Sequence, residues 1–263
     1  MKKTIVRIIS ALVISALSLT FLTQNAFAEG AYNTCNWYVR NNAEHKRPEL
    51  DGELSVINGK RAVYLGPDEK VIYLTFDAGY ENGNVEKILD VLKAHNAKGA
   101  FFILENLVLR NTELVKRMAD EGHTVCNHTA RHKNMSLVHD EAEFAAELER
   151  MEKVYNEKTG RELSKFYRPP EGAFSEANLD FAAKLGYSTV FWSFAYADWD
   201  NNKQMSGDKA IEKIMKHIHN GEIMLLHPTS ATNAAILDEV LTRLEADGWR
   251  FGTLDELCTE AGQ

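Results

Sequence analysis

Asp77 ends the β-forming run Val71-Ile-Tyr-Leu-Thr-Phe, and the chain then turns through Ala78, Gly79 and Gly83. An acid at the end of a buried strand is placed to work as a base. Other ionisable residues close comparable runs: His128 after His123-Thr-Val-Cys-Asn, Arg168 after Lys165-Phe-Tyr, and His227 after Glu222-Ile-Met-Leu-Leu. Asp198 follows Ser188-Thr-Val-Phe-Trp-Ser-Phe after a short loop. Such a set offers a carboxylate base, an arginine to pair with it, and an imidazole able to give or take a proton near neutral pH. His128 and His132 stand four apart, and on a helical turn both rings would share a face and reach one metal ion. Each residue also has a plain reading, as a core histidine, a structural ion pair, or, for Asp198 beside Trp199, a solvated loop acid. Their common position at strand ends is what favours chemistry.

The elements that must position these groups alternate regularly. After the first strand comes a helix with Val85, Ile88, Leu89 and Leu92 at helical spacing. Lys98 to Leu104 reads as a strand, and Asn111 to Gly122 as a helix with Asn111 as N-cap. The series continues as strand 123–128, helix 140–160, strand 165–170, helix 175–186, strand 188–194, helix 208–221, strand 222–227, helix 232–248 and a short strand 249–254. Strands alternating with helices imply right-handed βαβ units and a parallel sheet, and their number suits a closed or nearly closed (β/α) barrel. In such barrels reactive groups sit at the carboxyl ends of the strands. Pro169 and Pro170 fix φ and remove two N–H donors, stiffening the chain after Arg168.

The 263-residue chain opens with Lys2, Lys3 and Arg7, an apolar stretch from Ile8 to Leu22, and Ala26-Phe27-Ala28. This is expected to be a secretory signal, residues 1–28, cut after Ala28, with an uncleaved membrane anchor as the alternative. No later run is long and apolar enough to span a bilayer. Residues 29–66 read as an extension laid over a main domain of residues 67–263. A net charge of −8 argues against a nucleic-acid binder. Three cysteines are too few for a disulfide scaffold. Cys35 and Cys258 could bridge the two ends of the mature chain or remain free thiols, and Cys126, two before His128, could share its face as a metal ligand.

In order and spacing, TFDAG, HTARH, RPPEG, ADW and LLH resemble the five motifs of the polysaccharide deacetylases, carbohydrate esterase family four, over Val71 to Leu257. The resemblance implies a deformed (β/α) barrel, a divalent metal such as zinc, and hydrolysis of the N-acetyl group of an amino sugar or the O-acetyl group of a xylan. By position, Asp77 resembles the family's general base, Arg168 the arginine that pairs with it, and His128 and His132 the two metal-binding histidines. His227 matches the general acid and Asp198 the acid that tunes it. The backbone N–H of Glu171 falls where the family has an oxyanion donor, and Trp199 and Leu225 fall where its acetyl-methyl pocket is lined.

Ala78 departs from the pattern. Most of the family carries there a second Asp that binds the metal, and a methyl group binds nothing, so metal affinity is expected to fall. The run TFD-x-GYENG, with RPPEGAFSE and TVFWSFAYADW, is similar to the subgroup that deacetylates N-acetylmuramic acid in spore-cortex peptidoglycan on the route to muramic δ-lactam; that subgroup generally carries Asn at this position. The resemblance therefore implies an exported hydrolase acting on peptidoglycan glycan strands. The alternatives are a deacetylase of another N- or O-acetylated polysaccharide, a glycan-binding pseudo-enzyme with an incomplete metal site, and a glycoside hydrolase using paired carboxylates.

Overall fold

The computed structural model describes residues 30–40, 42–50 and 52–260, with the side chains of 258–260 excepted. The expected signal segment lies outside the described residues, as does the side chain of Cys258 at one end of the possible bridge, while Cys35 and Cys126 carry free thiols. No helix among the described residues is long and apolar enough to cross a membrane.

Parallel strands form the frame: β3 (Val71–Ala78), β4 (Gly99–Ile103), β5 (Thr124–Asn127), β6 (Phe166–Tyr167), β8 (Ser188–Val190) and β9 (Glu222–Leu226). β3 pairs with β4 along Leu74–Ala78 and with β9 along Ile72–Phe76. The sheet runs on from β4 through β5 and β6 to β8. It closes back on β9 through single bridges, Phe194 to Met224 and Leu65 to Glu222. This is a curled parallel sheet, a deformed (β/α) barrel, as the alternation of elements predicts.

The helices are α1 (Val85–Ala94), α2 (Glu105–Arg110), α3 (Thr112–Asp120), α4 (Glu141–Thr159), α5 (Glu176–Lys184), α6 (Gly207–His217), α7 (Ala231–Ala246) and α8 (Leu254–Glu260). The period-two alternation of β3 sorts its side chains between two cores. Ile72, Leu74, Phe76 and Ala78 join the cluster under the helices, with Ile88, Leu92, Val240 and Leu241. Val71 and Tyr73 face the barrel interior with Phe102, Cys126 and Ile223. Asp77 follows the interior parity, one residue from the strand's end. Burial in that apolar interior pushes the Cys126 thiol up to about 12, and the side chain packs there rather than lining the cavity that His128 and His132 border.

The strand expected over 188–194 is shorter than its apolar run: β8 ends at Val190, and beyond it the chain meets β9 through isolated backbone bonds among the described residues, Ser193 N–H to Ile223 O and the Phe194–Met224 bridge. Two helices, α2 and α8, carry no sequence signal of their own. α2 is capped by Leu104 without a side-chain bond, and the Glu105 N–H instead donates to Ala130 O (3.1 Å), a tertiary contact.

Segments before β3 pack on the barrel at two places. β1 (Cys35–Asn36) pairs antiparallel with β7 (Ala173–Phe174), and β2 (Ala62–Val63) extends the sheet beside β8. Trp37 stacks on Phe191 (4.3 Å between centroids), and its indole N–H donates to Trp192 O (2.9 Å). At the barrel's other end, Gly221 (φ 69°) admits no side chain: a Cβ there would lie 2.3 Å from Pro67 O. Gly221→Ala is therefore expected to cost at least about 2 kcal/mol, measured as a lower midpoint in thermal or denaturant unfolding; an unchanged midpoint would show that this junction yields.

Candidate active site

The strand ends bring the expected residues together. Arg168, directly after β6, is fully buried. Its Nε donates to Val190 O (3.0 Å), its Nη2 to Phe191 O (3.2 Å) and its Nη1 to Asp77 Oδ1 (2.9 Å). The guanidinium also lies 4.1 Å from the centre of the Phe102 ring. Every group around this cation fixes its plane, so the carboxylate it holds is fixed too. Burial works to raise the Asp77 pKa, but the positive fields of Arg168, His128 and His227 outweigh it and hold the carboxyl below its ordinary value. Asp77 Oδ2 stays free of Arg168 and stands 3.6 Å from His128 Nε2.

His128 and His132 meet, though not on a helical turn. The stretch 128–132 is an irregular loop, with Thr129 at φ 72° and His132 at φ 57°. Asn127 Oδ1 accepts from the Thr129 N–H, and Thr129 Oγ1 from the His132 N–H (both 2.9 Å). Glu147, buried on α4, holds Arg131 through its backbone N–H (2.9 Å) and guanidinium (2.8 Å). These bonds fold the loop so that the rings lie 5.1 Å apart at 73°. The spacing of four thus gives the pairing by a different backbone path from the one expected. His128 Nδ1 faces Arg168 O at 2.9 Å. A carbonyl only accepts, so Nδ1 carries the proton and the Nε2 lone pair is left for the site. Burial above all lowers the His128 pKa, to about 4, which keeps this ring neutral.

His227, after β9, is gripped by Asp198. Its Nδ1–H donates to Asp198 Oδ1 (2.7 Å) and its backbone N–H to Oδ2 (2.8 Å). Burial lowers the pKa of this imidazole, but the bond to Asp198 and the charges of Asp198 and Asp77 prevail, and the net shift is upwards. Asp198 is buried behind the ring, so it acts through His227 rather than on anything in the cavity.

These groups border a cavity of about 640 Å³, lined by Asp77, His128, His132, Glu171, Leu225 and His227 among others. Glu171 is held at φ 60° after the two prolines, and its backbone N–H donates to no described residue. Leu225 is buried in the wall, whereas Trp199 is 61% exposed and forms the rim. Sequence reasoning missed Tyr80, Trp192 and Tyr196 on the cavity, and Asn233 behind it. It also left Tyr80-Glu-Asn-Gly without a role. Asn82 and Asn84 both donate to Thr229 O (2.9 and 3.0 Å), tying the loop after Asp77 to the loop after His227.

The donor set fits a divalent cation with two imidazoles only. His128 presents an unprotonated nitrogen beside His132, but Ala78 is fully buried, belongs to the apolar cluster under the helices and does not line the cavity. No group of three or more His, Cys, Asp or Glu among the described residues is arranged to hold a metal. Catalytic zinc sites usually draw three ligands from the protein, so this set is one short.

Comparison with known proteins agrees with this geometry. Residues 65–190 match the polysaccharide deacetylase family model. The chain is 40% identical over 227 residues to the peptidoglycan-N-acetylmuramic acid deacetylase PdaA of Bacillus subtilis, covering 86% of each chain. It is 31% identical over 252 residues to a peptidoglycan-N-acetylglucosamine deacetylase of Bacillus cereus, covering 92% of this chain and 90% of the other. The solved structure of Bacillus subtilis PdaA, a family 4 carbohydrate esterase, superposes with a TM-score of 0.84 at 39% identity, covering 88% of this chain and 99% of that one. The chain belongs to the polysaccharide deacetylase family, carbohydrate esterase family 4.

Proposed function

We propose that this protein is an exported hydrolase that removes the N-acetyl group from N-acetylmuramic acid residues of peptidoglycan, freeing the amine on which a muramic δ-lactam of the spore cortex then closes. The observation that carries the reading is the pairing across one cavity of a carboxylate bonded to Arg168, which favours its ionised form, and an imidazole bonded to Asp198, which favours its protonated form. Pushing the two pKa values apart assigns base and acid. The 40% identity to an enzyme named for that sugar supports the choice of N-acetylmuramic acid.

Asp77 takes a proton from the attacking water through Oδ2, while Arg168 keeps Oδ1 occupied and the carboxylate oriented. The Glu171 N–H donates to the oxyanion that forms on the acetyl carbonyl. Leu225 and the inner edge of Trp199 receive the acetyl methyl. His227 Nε2 gives its proton to the departing nitrogen, so acetate and a free amine leave. His128 and His132 would hold a divalent cation, zinc by the preference of imidazole donors, and such an ion supplies polarisation of the acetyl carbonyl and a lower pKa for water. That help matters here, because a carboxylate with a depressed pKa is a weak base towards ordinary water.

The test is to incubate the mature protein with intact and peptide-free peptidoglycan and to identify products by mass. Acetate release is expected, lost with chelator and restored only by metal in large excess, since two protein ligands hold the ion weakly. The absence of a carboxylate at Ala78 favours one rival, a glycan-binding pseudo-enzyme, which would show affinity without acetate at any metal concentration. New reducing ends would mark a glycoside hydrolase.

A further inference from the structure

The Asp198–His227 pair is completed by a residue with no place in the five motifs. Asn233 lies in the first turn of α7, fully buried, where its backbone N–H donates to the Ser230 cap (3.1 Å). By sequence it looks like an ordinary helix-start residue. Its side chain does something else: Nδ2 donates to Asp198 Oδ2 (2.6 Å) and to His227 O (3.1 Å). The amide cannot be turned over, because its oxygen would then press against the Asp198 carboxylate. Tyr196 settles the same orientation from the other side, since its hydroxyl donates to Asn233 Oδ1. Burial raises the pKa of this phenol, so it remains a donor.

We propose that Asn233, oriented by Tyr196, is a positioning residue that holds the Asp198 carboxylate against His227 and so keeps the His227 proton on the imidazole facing the cavity. Asp198 Oδ2 receives two N–H donors, from His227 and Asn233, leaving Oδ1 to receive the imidazole Nδ1–H. A buried carboxylate stripped of one donor draws harder on the remaining proton and swings more freely. The other charged groups acting on His227 are Asp77, from β3, and Arg168, after β6, and neither contacts Asn233.

The role of His227 as acid rests on the deacetylase reading, so the experiment includes a readout independent of substrate. In the free protein the Nδ1 proton of His227, bonded to Asp198, should give a far-downfield proton resonance. Asn233→Leu is expected to shift or abolish that signal and to lower kcat about 10- to 100-fold with KM within about twofold. Tyr196→Phe, which only loosens the amide, should move the signal in the same direction by less, and it serves if the Leu variant does not fold. Asn233→Asp can donate while its new carboxyl is protonated, so its activity relative to wild type should be highest at acidic pH and fall as pH rises; the ratio for Asn233→Leu should stay flat. An unmoved resonance in both Asn233→Leu and Tyr196→Phe overturns the proposal whatever the substrate proves to be. So does an Asp variant that tracks the Leu variant at every pH. A shifted resonance in a wild-type protein that releases no acetate would overturn the deacetylase reading and leave the positioning role standing.

Discussion

Asp77→Asn is expected to reduce acetate release roughly 10²- to 10⁴-fold with little change in glycan binding. The substitution keeps the shape of the side chain and an oxygen for Arg168 Nη1, but the amide cannot accept the water's proton. It also removes the negative charge bonded to a guanidinium that is wholly buried. Breaking a buried pair by deleting one partner typically costs about 3–5 kcal/mol. Here the loss should be smaller, because Arg168 retains Val190 O, Phe191 O and the Phe102 ring. The variant should therefore fold with a lower Tm and bind glycan without turning it over. A rate near that of wild type would remove Asp77 from the chemistry. A variant that neither folds nor binds would show that the ion pair is first of all structural, and Asp77→Glu would then separate charge from placement.

The residues at the strand ends were legible because each ends an apolar run abruptly, and the βα alternation puts all such ends on one face. Arg168, Asp77, His128 and His227 are placed where that logic puts them. What was hidden follows from contacts that leave no local pattern. The 128–132 loop owes its shape to Asn127 and to Glu147, a buried acid on α4 that no local pattern sets apart from that helix's other acids. The barrel closes through single bridges at Leu65 and Phe194, too short to write a strand signature. Asn233 and Tyr196 were invisible for a related reason: a helix-start asparagine and a tyrosine in an aromatic run each have an ordinary local explanation, and only the fold sets them against Asp198. Ala78 was visible as a missing ligand, yet its burial among Ile72, Leu74 and Phe76 adds that the position is filled by packing and not by an open coordination site.

His227→Gln is expected to lower kcat by about 10²- to 10⁴-fold and to remove the basic limb of the pH profile. The sign follows from the two shifts. The Asp77 pKa lies below its ordinary value, so the base stays ionised to lower pH than an ordinary carboxylate and the acid limb is displaced downwards with it. The His227 pKa lies above its ordinary value of 6.5, so the acid stays protonated to higher pH than an ordinary imidazole and is lost as pH rises through that raised value. Between the limbs the rate should form a plateau wider than the same two groups would give without their shifts. Asp198→Asn should keep the acid limb and bring the basic limb to lower pH, because a neutral amide no longer stabilises the imidazolium. Its NH₂ can also present to Nδ1, fixing the tautomer with the proton on Nε2 only when the ring is neutral and too weak an acid to serve. A variant profile that loses amplitude without any movement of the basic limb would assign that limb to another group and would leave His227 as a ligand of the substrate rather than its proton donor.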